Sequence, residues 1–379
     1  MKKTKLKNAL IMVAIPVATV LTIGVISVLG KNQFKKPSGA YSEVGSADYE
    51  ITDYSRHEDA TVRKDDFRRI LIKIFYPAQS DGVKEKASYH PNPDVFNDNV
   101  KQLYGIPKIL LSRLSKSKSN ALKNVAIAQG DRKFPVLLFS HGLNGNNSQN
   151  NFQFAELASH GYVVVSIEHP FAASGTVFSD GQLGATIPFG KMKDEEFAHS
   201  LVKTWSDDQL YVLNYIETLN QDNKTRFFNR LNLDKVGVFG HSLGGATSAA
   251  SLTRDNRLKV GINMDGFYFG NFYKDGFHQP FLELRSEVIP LEELSAKQLQ
   301  QEYDMSREYY QYLFVDGWNE RLNTYAKNGY ESITIKGANH MSFSDFPLVI
   351  PFRKLIAGDV DRIHQEINKN VIDFFNKSL

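Results

Sequence analysis

The sequence predicts an α/β fold, a mostly parallel sheet with helices on both faces, preceded by an N-terminal apolar segment. Two observations carry this. Runs such as Pro135-Val136-Leu137-Leu138-Phe139 and Tyr162-Val163-Val164-Val165-Ser166-Ile167 are continuously apolar rather than alternating, as strands covered on both faces must be. Segments of helical spacing lie between such runs, and strands that alternate with helices build a parallel sheet. A length of 379 residues suits one large domain of this kind, able to bury roughly three quarters of its unfolded surface without cross-links.

The elements follow in order. Residues 1–30 read as a signal anchor or a signal peptide, because Ala9 to Gly30 carry no charge and that length can cross a bilayer as a helix. A cleaved signal usually has a shorter apolar region, which favours an uncleaved single-pass anchor in the cell membrane. Four lysines precede the span and three follow it, which places the N-terminus inside and the large domain outside. Cleavage near Gly30 would instead give a secreted protein. Residues 31–50 are polar, contain glycine and serine, and read as a stalk.

The domain of residues 51–379 opens with the β-rich run Ile70-Leu71-Ile72-Lys73-Ile74-Phe75-Tyr76-Pro77. Residues 80–130 are polar and give no clear assignment. After the strand at 135–139 come a helix at about 150–159, the strand at 162–167, and a long helix at about 194–219. Leu201, Trp205, Leu210, Leu213 and Ile216 share one face of that helix. Val236-Gly237-Val238-Phe239, Val260-Gly261-Ile262-Asn263-Met264, Phe281-Leu282-Glu283-Leu284 and Ser332-Ile333-Thr334-Ile335 are the remaining strands, and a helix at about 360–377 closes the chain.

Composition removes several function classes. With no cysteine there are no disulfides, thiolate metal sites or cysteine nucleophiles. Seven lysines lie in the first 36 residues, which hold no acid, so the rest of the chain has a net charge of −4 despite the overall +3. No basic field remains to hold nucleic acid.

The chemistry is concentrated in Gly240-His241-Ser242-Leu243-Gly244-Gly245, set between an apolar strand and the small-residue run Ala246-Thr247-Ser248-Ala249-Ala250. G-x-S-x-G between a strand and a helix is a nucleophile elbow, in which glycines allow a sharp turn that presents the serine hydroxyl. Serine needs a base within hydrogen-bond reach and an acid to orient that base. In an α/β-hydrolase arrangement the acid and then the histidine follow the serine along the chain. Asp265, ending the strand at 260–264, and His340, in the loop after the last strand, satisfy that order. Glu287, after the next strand, is the rival acid. The oxyanion needs two N–H donors: Leu243 supplies one by position, and Leu143, in Ser140-His141-Gly142-Leu143, is the candidate for the other.

Phe139-Ser140-His141-Gly142-Leu143, Gly240-His241-Ser242-Leu243-Gly244-Gly245-Ala246-Thr247, the aspartate after Gly261-Ile262-Asn263-Met264, and Ala338-Asn339-His340 together resemble the plasma-type (isoform II) platelet-activating factor acetylhydrolase family. Phe75-Tyr76-Pro77 and Glu168-His169 resemble it as well. The resemblance implies an α/β-hydrolase fold with Ser242 as nucleophile, Asp265 as acid, His340 as base, and Leu143 and Leu243 as oxyanion donors. It further implies cleavage of short or oxidised acyl chains from phospholipids without a metal or cofactor.

The chain departs from the family in Leu243, where phenylalanine is frequent, and in its long stretch between Asp265 and His340. Phe267, Tyr268, Phe269, Phe272, Tyr273, Tyr303, Tyr309, Tyr310, Tyr312, Phe314 and Trp318 fall in that stretch, which is either a lid over an acyl pocket or an inserted packed helix pair. The expected activity is a serine esterase acting on a phospholipid or other small ester. Acyl transfer, a non-lipid ester, and an inactive cell-surface binding protein of the same shape are the alternatives.

Overall fold

A computed structural model describes residues 34–379 apart from 64, 80–81, 83–84, 107, 109–110, 112–116, 268–275, 288–290, 298, 300–305 and 350–358. The expected anchor or signal segment at residues 1–30 lies outside the described residues. Among those described, no helix is long and apolar enough to cross a membrane.

The chain opens with an antiparallel hairpin of β1 (Val44–His57) and β2 (Phe67–Gln79). β3 (Lys86–Ser88), α1 (Pro93–Tyr104), β4 (Lys118–Lys123) and β5 (Ala126–Ile127) follow in the stretch that the sequence left unassigned. Then come β6 (Phe134–Ser140), α2 (Asn151–Ser159), β7 (Val163–Glu168), α3 (Glu195–Gln221), β8 (Leu231–His241), α4 (Leu243–Leu252), β9 (Leu258–Met264) and β10 (Phe281–Arg285). α5 (Gly317–Asn328), β11 (Glu331–Thr334) and α6 (Val360–Ser378) complete the chain.

The sheet runs β11-β10-β9-β8-β6-β7-β2-β1-β4-β3. From β7 to β11 all neighbours are parallel, whereas β2 pairs antiparallel with both β7 and β1. The fold is thus a mostly parallel mixed sheet with helices on both faces. On one face Val212, Leu213, Ile216 and Leu219 of α3, with Ala249 and Leu252 of α4, pack against Ile72, Ile74, Val136, Leu138 and Val238. On the other, Phe154, Leu157 and Ala158 of α2 and Ile363, Ile367, Val371 and Phe375 of α6 cover Leu137, Phe139, Val164 and Phe239. Every residue of β7 is buried, which is why Val163, Val164, Val165 and Ile167 do not alternate with exposed polar residues.

The stalk expected over residues 31–50 is not what the structure has at its end, because residues 44–50 are the first half of β1, with Val44 and Ala47 buried. Before it, the Ser38 N–H donates to Glu156 Oε2 at 3.0 Å and the Tyr41 N–H to the Ser159 carbonyl at 3.0 Å, so the chain lies against the end of α2. β1 was hidden because polar residues alternate along its half-exposed face.

The chain enters β7 on one side of β6 and β8 on the other. The crevice above this reversal, at the carboxyl ends of β6 and β8, is where open α/β sheets bind ligands. Leu143 and Ser242 lie just beyond those two ends.

Candidate active site

The sharp turn after β8 is taken by the serine itself. Ser242 has φ 56° and ψ −123°, while its N–H donates to the Met264 carbonyl at 2.9 Å. A β-carbon is costly in that region, and such strain persists only where the surroundings enforce it. The flanking glycines serve by leaving space. A Cβ on Gly240 would fall 2.2 Å from the Gly244 carbonyl oxygen, and one on Gly244 2.0 Å from that of Ser140. They let α4 begin in contact with both β8 and the loop after β6.

The structure brings Ser242, His340 and Asp265 together. His340 Nε2 lies 3.0 Å from Ser242 Oγ, and His340 Nδ1 lies 2.8 Å from Asp265 Oδ2. The two contacts fix the tautomer by their chemistry: a carboxylate only accepts, so Nδ1 carries the proton and Nε2 is left to accept one. Asp265 is at φ 57°, its N–H donates to the Leu284 carbonyl at 2.8 Å, and its carboxylate accepts from Ser286 N at 2.7 Å and Ser286 Oγ at 2.9 Å. Burial alone would raise this carboxyl, but the His340 hydrogen bond and charge, with the Ser286 donors, outweigh it and hold the pKa below the ordinary value.

Glu287 is elsewhere. Its Oε2 accepts the Gly337 N–H at 2.9 Å and its own N–H donates to the Ala338 carbonyl at 3.1 Å, so it braces the backbone of the histidine loop.

Leu143, in the loop after β6, and Leu243, at the start of α4, share one apolar cluster beside Ser242. A Cβ on Gly142 would lie 3.2 Å from the Ser242 Cβ, which brings the loop carrying Leu143 directly against the serine. Leu243 opens α4, where the first N–H groups have no partner within the helix. Among the described residues, no acceptor takes the N–H of either leucine. Around them, Leu143, Ile187, Met192 and Leu201 pack on a cluster of Leu243, Ala172, Val202, Trp205, Ala246 and Ala250, forming an apolar wall beside the serine. Asn144, at φ 55°, fastens this wall: its side chain donates to the Ile187 carbonyl at 2.7 Å and accepts the Ile187 N–H at 3.0 Å.

Several supporting residues were not singled out from sequence. Gln149 Oε1 accepts the Gly142 N–H at 3.3 Å, Gln149 Nε2 donates to His241 Nδ1 at 3.0 Å, and His241 Nε2 donates to the His340 carbonyl at 2.9 Å. Burial, reinforced by the nearby His340 charge, pushes His241 down to about 3, so it acts as a neutral brace between the two loops. Asn263 pairs twice with the Gly266 backbone at 2.9 Å and shapes the Asp265 turn. The only local signal was position, since Ser286 follows the strand next to β9.

The aromatic stretch after Asp265 is described in part. Tyr310 is buried with Leu294 and Leu299 in a small cluster of its own, and the exposed Tyr312 donates to Glu195 Oε1 at 3.3 Å. Tyr268, Phe269, Phe272, Tyr273 and Tyr303, and the side chains of Tyr309, Phe314 and Trp318, lie outside the described residues.

The family described as "Platelet-activating factor acetylhydrolase, isoform II" matches residues 26–377. The chain is similar to a platelet-activating factor acetylhydrolase of Canis lupus familiaris, 27% identical over 92% of this chain and 76% of that one. It is also similar to a probable 1-alkyl-2-acetylglycerophosphocholine esterase of Arthroderma benhamiae, 25% identical over 89% of this chain and 80% of that one. Among solved structures, a ferulic acid esterase from Streptomyces cinnamoneus shares the fold with a TM-score of 0.65 and 19% identity, over 93% of this chain and 92% of that one.

Proposed function

The chain belongs to the platelet-activating factor acetylhydrolase isoform II family and is a carboxylic ester hydrolase, and from that premise we propose a Ser242-His340-Asp265 esterase of short-acyl or oxidised phospholipids. The observation that carries the mechanism is the continuous hydrogen-bonded chain from Ser242 Oγ through both His340 nitrogens to Asp265, beside two N–H groups that no acceptor takes among the described residues.

Ser242 Oγ attacks the acyl carbon while its proton passes to His340 Nε2. The carbonyl oxygen becomes negative and is held by the N–H groups of Leu143 and Leu243. Asp265 stabilises the imidazolium. His340 then returns the proton to the glycerol oxygen as the ester bond breaks, leaving the acyl group on Ser242. Water, deprotonated by His340, attacks that acyl-enzyme, and the same proton restores the serine as the carboxylic acid departs.

The apolar wall of Leu143, Leu243, Ile187, Met192 and Leu201 supports an acyl subsite next to Ser242. The uncharged stretch Ala9–Gly30 supports a domain held at the outer face of the cell membrane. Release of the protein by detergent but not by carbonate washing would agree with that placement, and a freely soluble, shortened product would refute it.

The test of the mechanism is Ser242→Ala. Hydrolysis of p-nitrophenyl acetate should fall by about 10⁶ in kcat, and fluorophosphonate labelling should vanish. Undiminished labelling would sink the assignment. A chain-length series on wild type should fall steeply beyond short acyl groups; a flat profile would refute the short-acyl part.

A further inference from the structure

Behind the loop that carries Leu143 lies another serine, histidine and aspartate in a chain. Ser140 Oγ is 2.9 Å from His169 Nε2, and His169 Nδ1 is 2.8 Å from Asp208 Oδ2. All three are 0% exposed, so no substrate reaches Ser140. The direction of each hydrogen bond can be followed. Ser251 Oγ donates to Gln209 Oε1 at 2.6 Å, which turns Gln209 Nε2 toward Ser140 Oγ, 2.9 Å away. The Ser140 hydroxyl therefore gives its own proton to His169 Nε2, and His169 Nδ1–H faces Asp208. Arg68 holds Asp208 by two bonds of 3.1 and 2.7 Å, and Trp205 stacks on the His169 ring at 4.2 Å.

His169 also holds the next residue of the loop, because its backbone N–H donates to His141 Nε2 at 3.1 Å. Beyond that point the Gly142 N–H goes to Gln149 and the Asn144 N–H to the Ala172 carbonyl at 2.9 Å. The loop is fixed on either side of Leu143, whose own N–H meets no acceptor among the described residues. The other end of the chain is Ser251, on α4, the helix whose first residue is Leu243. The buried chain therefore joins the element bearing one proposed oxyanion donor to the loop bearing the other.

We propose that the buried Ser140-His169-Asp208 chain, tied through Gln209 to Ser251, is a positioning device that sets the separation and aim of the Leu143 and Leu243 N–H groups. The inference rests on the reading of those two groups as oxyanion donors. The members of the chain are positioning residues, and none of them touches substrate.

The test is Ser140→Ala, assayed on p-nitrophenyl acetate and on its thiono analogue, in which sulfur replaces the carbonyl oxygen. Rates are normalised to the Ser242 sites titrated by a fluorophosphonate. Sulfur accepts hydrogen bonds weakly, so the preference for the oxygen ester measures how well the two N–H groups are aimed. Loss of one such donor costs about 10²–10³ in kcat, and a misaimed one should cost about 10–100-fold. The oxygen-over-thiono preference should shrink by a similar factor, and KM should move by less than about two-fold.

A kcat within about two-fold of wild type, or equal losses on both esters, overturns the inference. If Ser140→Ala gives no folded protein, Gln209→Met decides, with a smaller loss of the same preference expected and an unchanged preference overturning it. A wild type that takes no label at Ser242 overturns the proposed function as well, whereas a labelled wild type with an unaltered preference in the variant overturns only this inference.

Discussion

Two Ser–His–Asp chains of nearly equal dimensions lie at the ends of adjacent strands, β6 and β8, and only one of them has the surroundings for chemistry. Their lengths are 2.9 and 2.8 Å for Ser140-His169-Asp208 against 3.0 and 2.8 Å for Ser242-His340-Asp265. The buried serine sits in regular strand backbone and its hydroxyl is already shared with Gln209. The other is lifted out at φ 56° beside an imidazole that is 42% exposed. The acids differ as well. Asp208 is neutralised by Arg68 and Arg56, whereas Asp265 is held by the neutral donors of Ser286. A carboxylate already facing two guanidinium groups has little field left for a histidine that becomes charged, while one held by a serine keeps its field. Hydrogen-bond geometry is thus common to both; access, backbone strain and unspent charge separate them.

The sharpest ways to break this comparison are at Asp265 and at the cation that holds Asp208. Asp265→Asn should lower kcat by about 10⁴ and leave the fold intact, because the amide fixes the wrong imidazole tautomer. Stopped assays with circular dichroism would check both halves, and retained activity would remove Asp265 from the mechanism.

In the buried chain the same kind of cut should show in stability. Arg68→Met leaves Asp208 and Glu58 without their main cation, and should cost about 3–5 kcal/mol in urea denaturation, with Ser242 still labelled in the folded fraction. An unchanged denaturation midpoint would mean that the ion pair does not hold this region.

The residue before His169 gives a pH signature. Burial, only partly offset by Thr176 and Asn147, raises Glu168 to about 7. Between the unfolded carboxyl value and that raised one, the folded protein keeps a proton that the unfolded chain has lost. The Glu168 contribution to stability should therefore fall by roughly 3 kcal/mol as pH rises from about 4.5 to 7, read as the difference between the wild-type and Glu168→Gln curves, because buried neutral histidines such as His241 act in the opposite sense over the same range. A difference between the two curves that stays flat across this window would refute the account.

Glu287→Gln should have the smallest effect, about 1 kcal/mol from a weakened bond to the Gly337 N–H, seen as a several-fold loss of turnover. A loss equal to that of Asp265→Asn would exchange the roles of the two carboxylates.

The sheet was legible in sequence wherever a strand is covered on both faces, as β6 and β7 are. It was illegible in β1, whose outer positions Glu50 and Tyr54 meet solvent or polar partners, in β3 and β5, which are too short to show a period, and in β4, whose buried positions are the small Ser119 and Ala121. At the site, Ser242, Leu143 and Leu243 stood in contiguous motifs, and chain order pointed to Asp265 and His340. Ser286 was marked only by its position after β10, and Gln149, His241 and Asn263 left no trace, because most of their partners are backbone groups of loops brought near only by folding. Ser140 and His169 stood in segments that resemble the family, but their link to Asp208 was hidden, because no motif records a chain that joins β6, the residue after β7 and α3.

The two-way clasp between Asn144 and the Ile187 peptide has an evolutionary consequence. The segment that would gauge the acyl chain and the segment that would meet the nascent negative charge are one mechanical unit. An ill-fitting acyl chain would therefore be penalised in turnover more than in affinity, and a change of substrate by drift at Ile187 would carry a kinetic handicap until the Asn144 turn was rebuilt with it.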